Sequence, residues 1–587
     1  MEWLGQDQLT FGARRREEWH TQPWRAIPHN LLFLGASSFW CRLPLPSTGE
    51  LSLGRNTTTS PEHDRVTPIK DSLSFARETC RQGDMNARSY LTAMLILTTA
   101  SLPACAPLTN PAMRPELSST QAPNAGVLPS PVPDPVRTKR MVELGGTDRR
   151  AAEAALNAVL ETRDDHFVPV LIEMLRAAQI GIPVEIDYST MVMAIEDISG
   201  QSLGDNWPAW VEWYGTTDIE PPPGFTGWKG RLLSFIDPRF ADFLNDESSS
   251  RIRVEEIVWG GVRVDAIPAL DNPKMIIASD ADYLLAEEPV FGVALNGHAR
   301  AYPLRILDWH EMANDVVGGV PVSLAYCTLC GAAIAYDTRA SDGSAYTFGS
   351  SGFLFRSNKL MYDRQTRTLW NQLTGEPVVG RLAASGIRLA LLPVVLTSWK
   401  DWRDQHPDTL VLSPETGYER YYLPGAAYGD YFASGDTMFP VWQRSKQLGD
   451  KDRIYALRVD GTPKAYPLAL LVEEGVVNDT VGGTNVVLVA ARGRVTVNGS
   501  SIRAGSVTYD AGGEVRAFLS GAEMFSAGAS ADELLDARGG IWRVTEEGLL
   551  SPEGEVVAPR LSGHLAYWFG WFAFFPHTLV YGVPAEP

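Results

Sequence analysis

The sequence predicts an α+β protein with a β-rich core domain that contains a degenerate internal duplication, preceded by a small α-helical module. Three observations carry this expectation. After about residue 251, short β-branched runs alternate with Gly, Pro, Asn and Asp, as at Ile252 to Ile257, Val290 to Leu295, Val320 to Tyr326 and Ile454 to Val459. Within that region one stretch recurs without a gap. Before it, residues 147–215 carry apolar residues at helical spacing. A length of 587 residues leaves room for two or three domains.

The formal net charge is −19. That argues against a nucleic-acid binder, because phosphate recognition needs a basic face. The 17 Trp and 19 Tyr are explained first by large core side chains.

From the N-terminus, residues 1–84 show no sustained period and read as an upstream extension from a misassigned start. Residues 85–104 read as a signal peptide: one Arg, an apolar run from Leu91 to Leu97, then small residues. Leu102-Pro103-Ala104-Cys105 resembles a bacterial lipobox, which makes Cys105 the expected lipidation site. The expected location is therefore the bacterial cell envelope, outside the cytoplasm, with the membrane as partner through the lipid. Residues 105–138, rich in Pro, Ala, Ser and Thr, read as an extended tether.

The helical module is expected over 139–250. Ala151, Ala154, Leu156, Val159 and Leu160 recur at helical spacing, as do Val168, Leu171, Ile172 and Leu175. Trp207, Trp210 and Trp213 follow at intervals of three. The β-rich domain is expected over 251–520 and an aromatic closing segment over 521–587. That segment includes the run from Gly563 to Pro576, which is short for a bilayer and interrupted by proline.

The repeat pairs 291–327 with 455–491, with 13 of 37 positions identical. Ala301-Tyr302-Pro303-Leu304 matches Ala465-Tyr466-Pro467-Leu468, Asn314-Asp315 matches Asn478-Asp479, and Gly318-Gly319 matches Gly482-Gly483. Each unit reads as strand, Asn-Gly or Asp-Gly turn, strand, short helix, Gly-Gly turn, strand. The differences direct attention to chemistry. His310 is replaced by Glu474, Glu311 by Gly475 and Cys327 by Ala491. Groups needed only to fold the unit would be expected in both copies.

The chain has five cysteines. Setting aside Cys41 and Cys80 in the extension and Cys105 at the lipobox leaves Cys327 and Cys330, in Tyr-Cys-Thr-Leu-Cys-Gly. A Cys-x-x-Cys turn aims both sulfurs at one point, so it suits a metal knuckle or a redox dithiol. With His310 as a third ligand the donor set fits copper or zinc, for metal handling or redox. Glu311 or Asp315 would add an oxygen or orient the imidazole. Two other readings stay open: a thiol–disulfide redox protein, and a noncatalytic envelope-binding module stapled by a structural disulfide. No thioredoxin-like context is visible around the pair.

Between the repeats, Tyr362, Asp363, Arg364 and Trp370, with Gln372, are candidates to line a pocket beside the site. The alternative is hairpin turn chemistry, with Asp363 and Arg364 facing opposite ways. His564 is a candidate remote ligand.

The run from about Arg251 to Ser520 resembles a bacterial family catalogued as domain-of-unknown-function family 3179. The matching pieces are Ala301-Tyr302-Pro303, His310-Glu311, Asn314-Asp315, Tyr326-Cys327-Thr328-Leu329-Cys330-Gly331, Ser351-Gly352, Met361-Tyr362-Asp363-Arg364, Leu369-Trp370 and Thr397-Ser398-Trp399. Thr328 stands where the family often has proline. The resemblance implies a protein that is often exported or lipid-anchored, and it supplies no activity. Whether the protein is an enzyme stays open.

Overall fold

The computed structural model describes residues 126–128 and 132–583. The expected extension, signal peptide, lipidation site Cys105 and most of the tether lie outside the described residues. The tether is expected to run to 138, but a helix, Pro135–Leu144, begins inside it. Proline at the first helical position lacks an N–H that would have no partner there, and the Asp134 carboxylate accepts from the N–H groups of Val136 and Arg137.

Seven α-helices run from Pro135 to Phe243 among the described residues. Val168–Gln179 is central and almost entirely buried. The helices do not close a core of their own. Their apolar faces join one cluster with Ile257, Phe353, Leu354, Phe355, Leu360 and Leu369, so they cover a sheet face. That sheet orders Ile257–Trp259, Phe348–Phe355, Asn358–Asp363, Leu369–Asn371 and Glu376–Val379. A buried ion pair ties the layers: Lys229 Nζ lies 2.6 Å from Glu173 and also donates to the Val254 carbonyl.

The strand expected over Ile252 to Ile257 is mostly turn; a 3₁₀ helix, Val254–Glu256, precedes strand Ile257–Trp259. The Arg253 guanidinium donates to the carbonyls of Thr217 and Ile219, and buried Glu256 pairs with Arg356. These side-chain bonds hold the backbone out of the sheet.

The segments around 291–327 and 455–491 take the same elements in the same order. Pro289–Leu295 pairs with His298–Pro303, followed by helix Leu304–His310 and hairpin Met312–Val317/Val320–Cys327. Arg453–Val459 pairs with Thr462–Pro467, followed by helix Leu468–Glu474 and hairpin Val476–Val481/Thr484–Val489. Their polar ties match. The Tyr302 hydroxyl donates to Asp315 at 2.8 Å and the Tyr466 hydroxyl to Asp479 at 2.9 Å. Asn314 bonds the backbone of Phe348, and Asn478 that of Phe525.

The correspondence runs beyond these stretches. Val395–Ser398, helix Trp399–Gln405 and Leu410–Leu412 flank the first strand pair as His564–Tyr567, helix Trp568–Phe572 and Leu579–Val580 flank the second. Trp402 Nε1 donates to Thr409 Oγ1 and Trp571 Nε1 to Thr578 Oγ1, each at 2.9 Å. The aromatic run near the C-terminus is thus integral to a sheet. Nor does the β structure break at residue 520: one eight-stranded sheet includes both Arg516–Leu519 and Val556–Leu561. No helix among the described residues is long and apolar enough to cross a membrane.

Candidate functional site

Strand Val320–Cys327 ends at Cys327, and the chain turns back into strand Ala332–Asp337 through Thr328-Leu329-Cys330-Gly331. Gly331 takes φ +59, and a side chain there would also crowd Arg453 and Tyr567. Cys327 and Cys330 are 1 % and 0 % exposed and are not joined by a disulfide.

The surroundings treat the two sulfurs differently. Burial raises the Cys327 thiol, but hydrogen bonds from the Cys330 thiol and from the N–H groups of Lys359 and Cys330 outweigh it, and the net direction is down. Burial and the neighbouring Cys327 push Cys330 well up. The Cys330 sulfur also lies 3.2 Å from the Ser357 carbonyl, and Asn358 Nδ2 approaches it at 3.5 Å. Asn358 is held by Gln372, whose amide donates to the carbonyls of Ala325 and Ala332 on either side of the turn.

Glu311 sits beside this turn. It is the left-handed cap of helix Leu304–His310, at φ +54, and its N–H closes onto the Leu307 carbonyl. Its carboxylate accepts from Thr328 Oγ1 and from Lys359 Nζ, both at 2.9 Å, and Glu311 and Lys359 are buried. Asp308, one turn earlier, is buried with Oδ1 lacking a hydrogen-bond partner. Burial and then the Glu311 charge hold its carboxyl well above the usual range.

His310 is not brought to the sulfurs. Its Nδ1 lies 2.8 Å from the Pro268 carbonyl and its Nε2 2.5 Å from the Tyr422 hydroxyl. Burial pushes the imidazole down to about 4. A neutral ring donates from Nδ1 to the carbonyl and accepts at Nε2 from Tyr422, so both nitrogens are engaged. The expected ligand set Cys327, Cys330 and His310 is not assembled: the only group of three or more such side chains with ligand atoms mutually within 4.8 Å, among the described residues, is Asp164, Asp165 and His166. The two sulfurs alone do not make the three- or four-ligand site typical of zinc.

The other candidates are dispersed. Asp315 takes the Tyr302 hydroxyl and faces Arg300 at 3.7 Å. The Tyr362 hydroxyl donates to Asp265 at 2.6 Å. Asp363 is buried inside its hairpin, accepting from Thr366 and from Trp370 Nε1, while Arg364 points outward to Asp271 at 3.3 Å. Arg364 lines a cleft of about 270 Å³ with Asp265, Asp271, Tyr418 and Arg420, and neither cysteine reaches it. Buried His564 bonds the Leu565 carbonyl.

Sequence reasoning missed Lys359, Asn358, Asp308 and the tyrosines that close the site. A lysine directly before Leu360 and Met361 in the strand Asn358–Asp363 was the available signal, because a buried ammonium requires a partner.

At the matching turn of the second unit, Ala491 replaces the first thiol and Arg492 binds Asp401, Glu514 and Asp532 instead. That turn is stitched by charge and carries no nucleophile.

No curated protein and no solved structure matches this chain. The family model described as Protein of unknown function (DUF3179) matches residues 264–578, which include both units and the Cys-x-x-Cys turn. With more than half its length matched, the chain belongs to the DUF3179 family.

Proposed function

We propose that the protein is a thiol–disulfide redox protein whose centre is the Cys327–Cys330 pair, carried on a duplicated scaffold of which one copy keeps the reactive groups. The observation that supports this best is a pair of buried thiols, not joined to each other, that close one Cys-x-x-Cys turn with no third ligand side chain gathered beside them among the described residues. This is the arrangement a dithiol needs. Exchange requires one sulfur to ionise as the nucleophile while its neighbour keeps its proton until the disulfide closes, and the surroundings push the two thiols in those opposite directions. Glu311, Thr328 and Lys359 hold the turn from one side, and Asn358 and Gln372 from the other.

We further propose that the chain acts outside the cytoplasm, tethered by lipid on Cys105, where an oxidising environment suits such a pair. The expected copper or zinc role gains no support from His310, whose nitrogens are committed elsewhere.

The test is anaerobic purification followed by thiol counting and metal analysis on the same sample. The expected outcome is two alkylatable thiols per chain, lost together on mild oxidation and recovered with a reductant, in protein without stoichiometric metal. Cys327→Ser or Cys330→Ser abolishes the reversible intramolecular step. One metal ion per chain that protects both thiols from alkylation would overturn this reading in favour of a metal centre.

A further inference from the structure

The segment 416–433 is fastened beside the Cys-x-x-Cys turn by tyrosine hydroxyls. Tyr422 donates to His310, at the end of the helix that leads into Glu311. Tyr428 lies within hydrogen-bonding reach of Thr328, between the two cysteines. Tyr431 donates to the Leu329 carbonyl at 2.7 Å. Elsewhere around the turn, helix Trp568–Phe572 presents Gly570 so closely that a Cβ there would meet the Cys330 sulfur at 3.1 Å. The Tyr567 N–H closes onto the Cys330 carbonyl at 2.7 Å.

This enclosure bears on what can react there. Exchange with another protein's disulfide passes through a mixed disulfide, so a second side chain and its backbone must reach one sulfur. Both cysteines are at most 1 % exposed, and Gly570 and the Ser357 carbonyl lie against Cys330. A diatomic-sized oxidant has no such requirement.

We infer that the oxidant of this dithiol is a small hydroperoxide rather than a protein disulfide, with the tyrosine-fastened segment 416–433 acting as the size filter. The inference rests on the dithiol reading above and specifies its substrate class. Cys327 sulfur attacks the peroxide: an S–O bond forms and the O–O bond breaks. The departing oxygen leaves as water, taking the proton Cys327 gave up on ionising. Cys330 sulfur then attacks the sulfenic sulfur: the S–S bond forms and the S–O bond breaks. Hydroxide departs with the Cys330 proton as a second water. One peroxide takes two electrons and two thiols become a disulfide.

The test compares the reduced wild-type chain with hydrogen peroxide and with glutathione disulfide, following loss of alkylatable thiols. Peroxide is expected to react faster than glutathione disulfide by roughly tenfold or more. In Cys330→Ser, peroxide leaves a dimedone adduct on Cys327. In the Tyr428→Phe/Tyr431→Phe double variant, the ratio of the peroxide rate to the glutathione disulfide rate falls. Equal rates with the two oxidants in the wild type would overturn the size filter and leave the dithiol reading standing. If neither oxidises the folded chain, the dithiol reading itself fails. The wild-type comparison decides the matter even if the double variant does not fold.

Discussion

Glu311 shows how much of the site rests on single contacts. Its carboxylate is the partner of the buried Lys359 ammonium and of Thr328 inside the Cys-x-x-Cys turn. Removing one member of a buried pair leaves the other charge without compensation. Glu311→Gln is therefore expected to cost about 3 kcal/mol in denaturant unfolding, and adding Lys359→Met to recover much of that loss. His564 and His406 supply a pH dependence. Burial depresses both imidazoles to about 4. The unfolded chain then binds protons near the ordinary value of about 6.5 while the folded chain does not. Their contribution is intact above that value and declines as pH falls toward 4. Between pH 7 and 5 stability should drop by about 2 kcal/mol through the buried His564, and by less through His406, whose partly exposed ring is screened by solvent. Denaturation at the two pH values checks this, and a His564→Gln chain that keeps the full slope would remove that residue's share.

Among the elements, the contact between helix Trp568–Phe572 and the Cys-x-x-Cys turn is the tightest made through a glycine at the site. Gly570→Ala would place a methyl 3.0 Å from Cys330 Cβ, so either the helix or the turn must move. The expected result is a loss of about 1–3 kcal/mol and faster alkylation of Cys330 in the folded chain. Legibility also varies by element. The first strand pair, the short helix and the strand after the Gly-Gly turn of both units follow from alternation, Asn-Gly and Asp-Gly turns and the proline before each helix, while the strands Met312–Val317 and Val476–Val481 between helix and Gly-Gly turn were not read. The correspondence extends into segments where the sequence also carried a signal that went unused: Trp399, Trp402, Pro407, Thr409, Leu410 and Val411 recur as Trp568, Trp571, Pro576, Thr578, Leu579 and Val580, and the strands Val395–Ser398 and His564–Tyr567 before them take matching places in their sheets. The site was half legible. Cys327, Cys330 and Glu311 are marked by spacing and by their loss from the second unit. Lys359 and Tyr431 come from other strands and helices, and only tertiary packing brings them in. His310 misled because nearness in sequence to a strand that ends in cysteine does not set where a helix-terminal ring points. Here the ring meets Pro268 and Tyr422.

For the whole molecule, the helices from Pro135 to Phe243 and the sheet they cover share one core. The two should unfold in a single transition. A chain beginning at Arg251 would expose Phe353, Phe355 and Leu360 and is expected to aggregate rather than fold; a soluble, cooperatively folding fragment would show that the sheet face needs no cover. The two units meet around the dithiol. Cys330 belongs to the first, while Tyr567 and Gly570, which close on it, come from the partner of strand Arg453–Val459 and the helix that follows. One unit thus supplies the nucleophiles and the other part of their enclosure. The central claim is that these two sulfurs cycle between dithiol and disulfide within the folded chain. Equilibrium redox titration with alkylation read by mass spectrometry tests it most directly. The account predicts one reversible transition with a two-electron slope, about 30 mV per tenfold change in ratio, confined to Cys327 and Cys330. Thiols that stay reduced across the range until the protein is unfolded would contradict it.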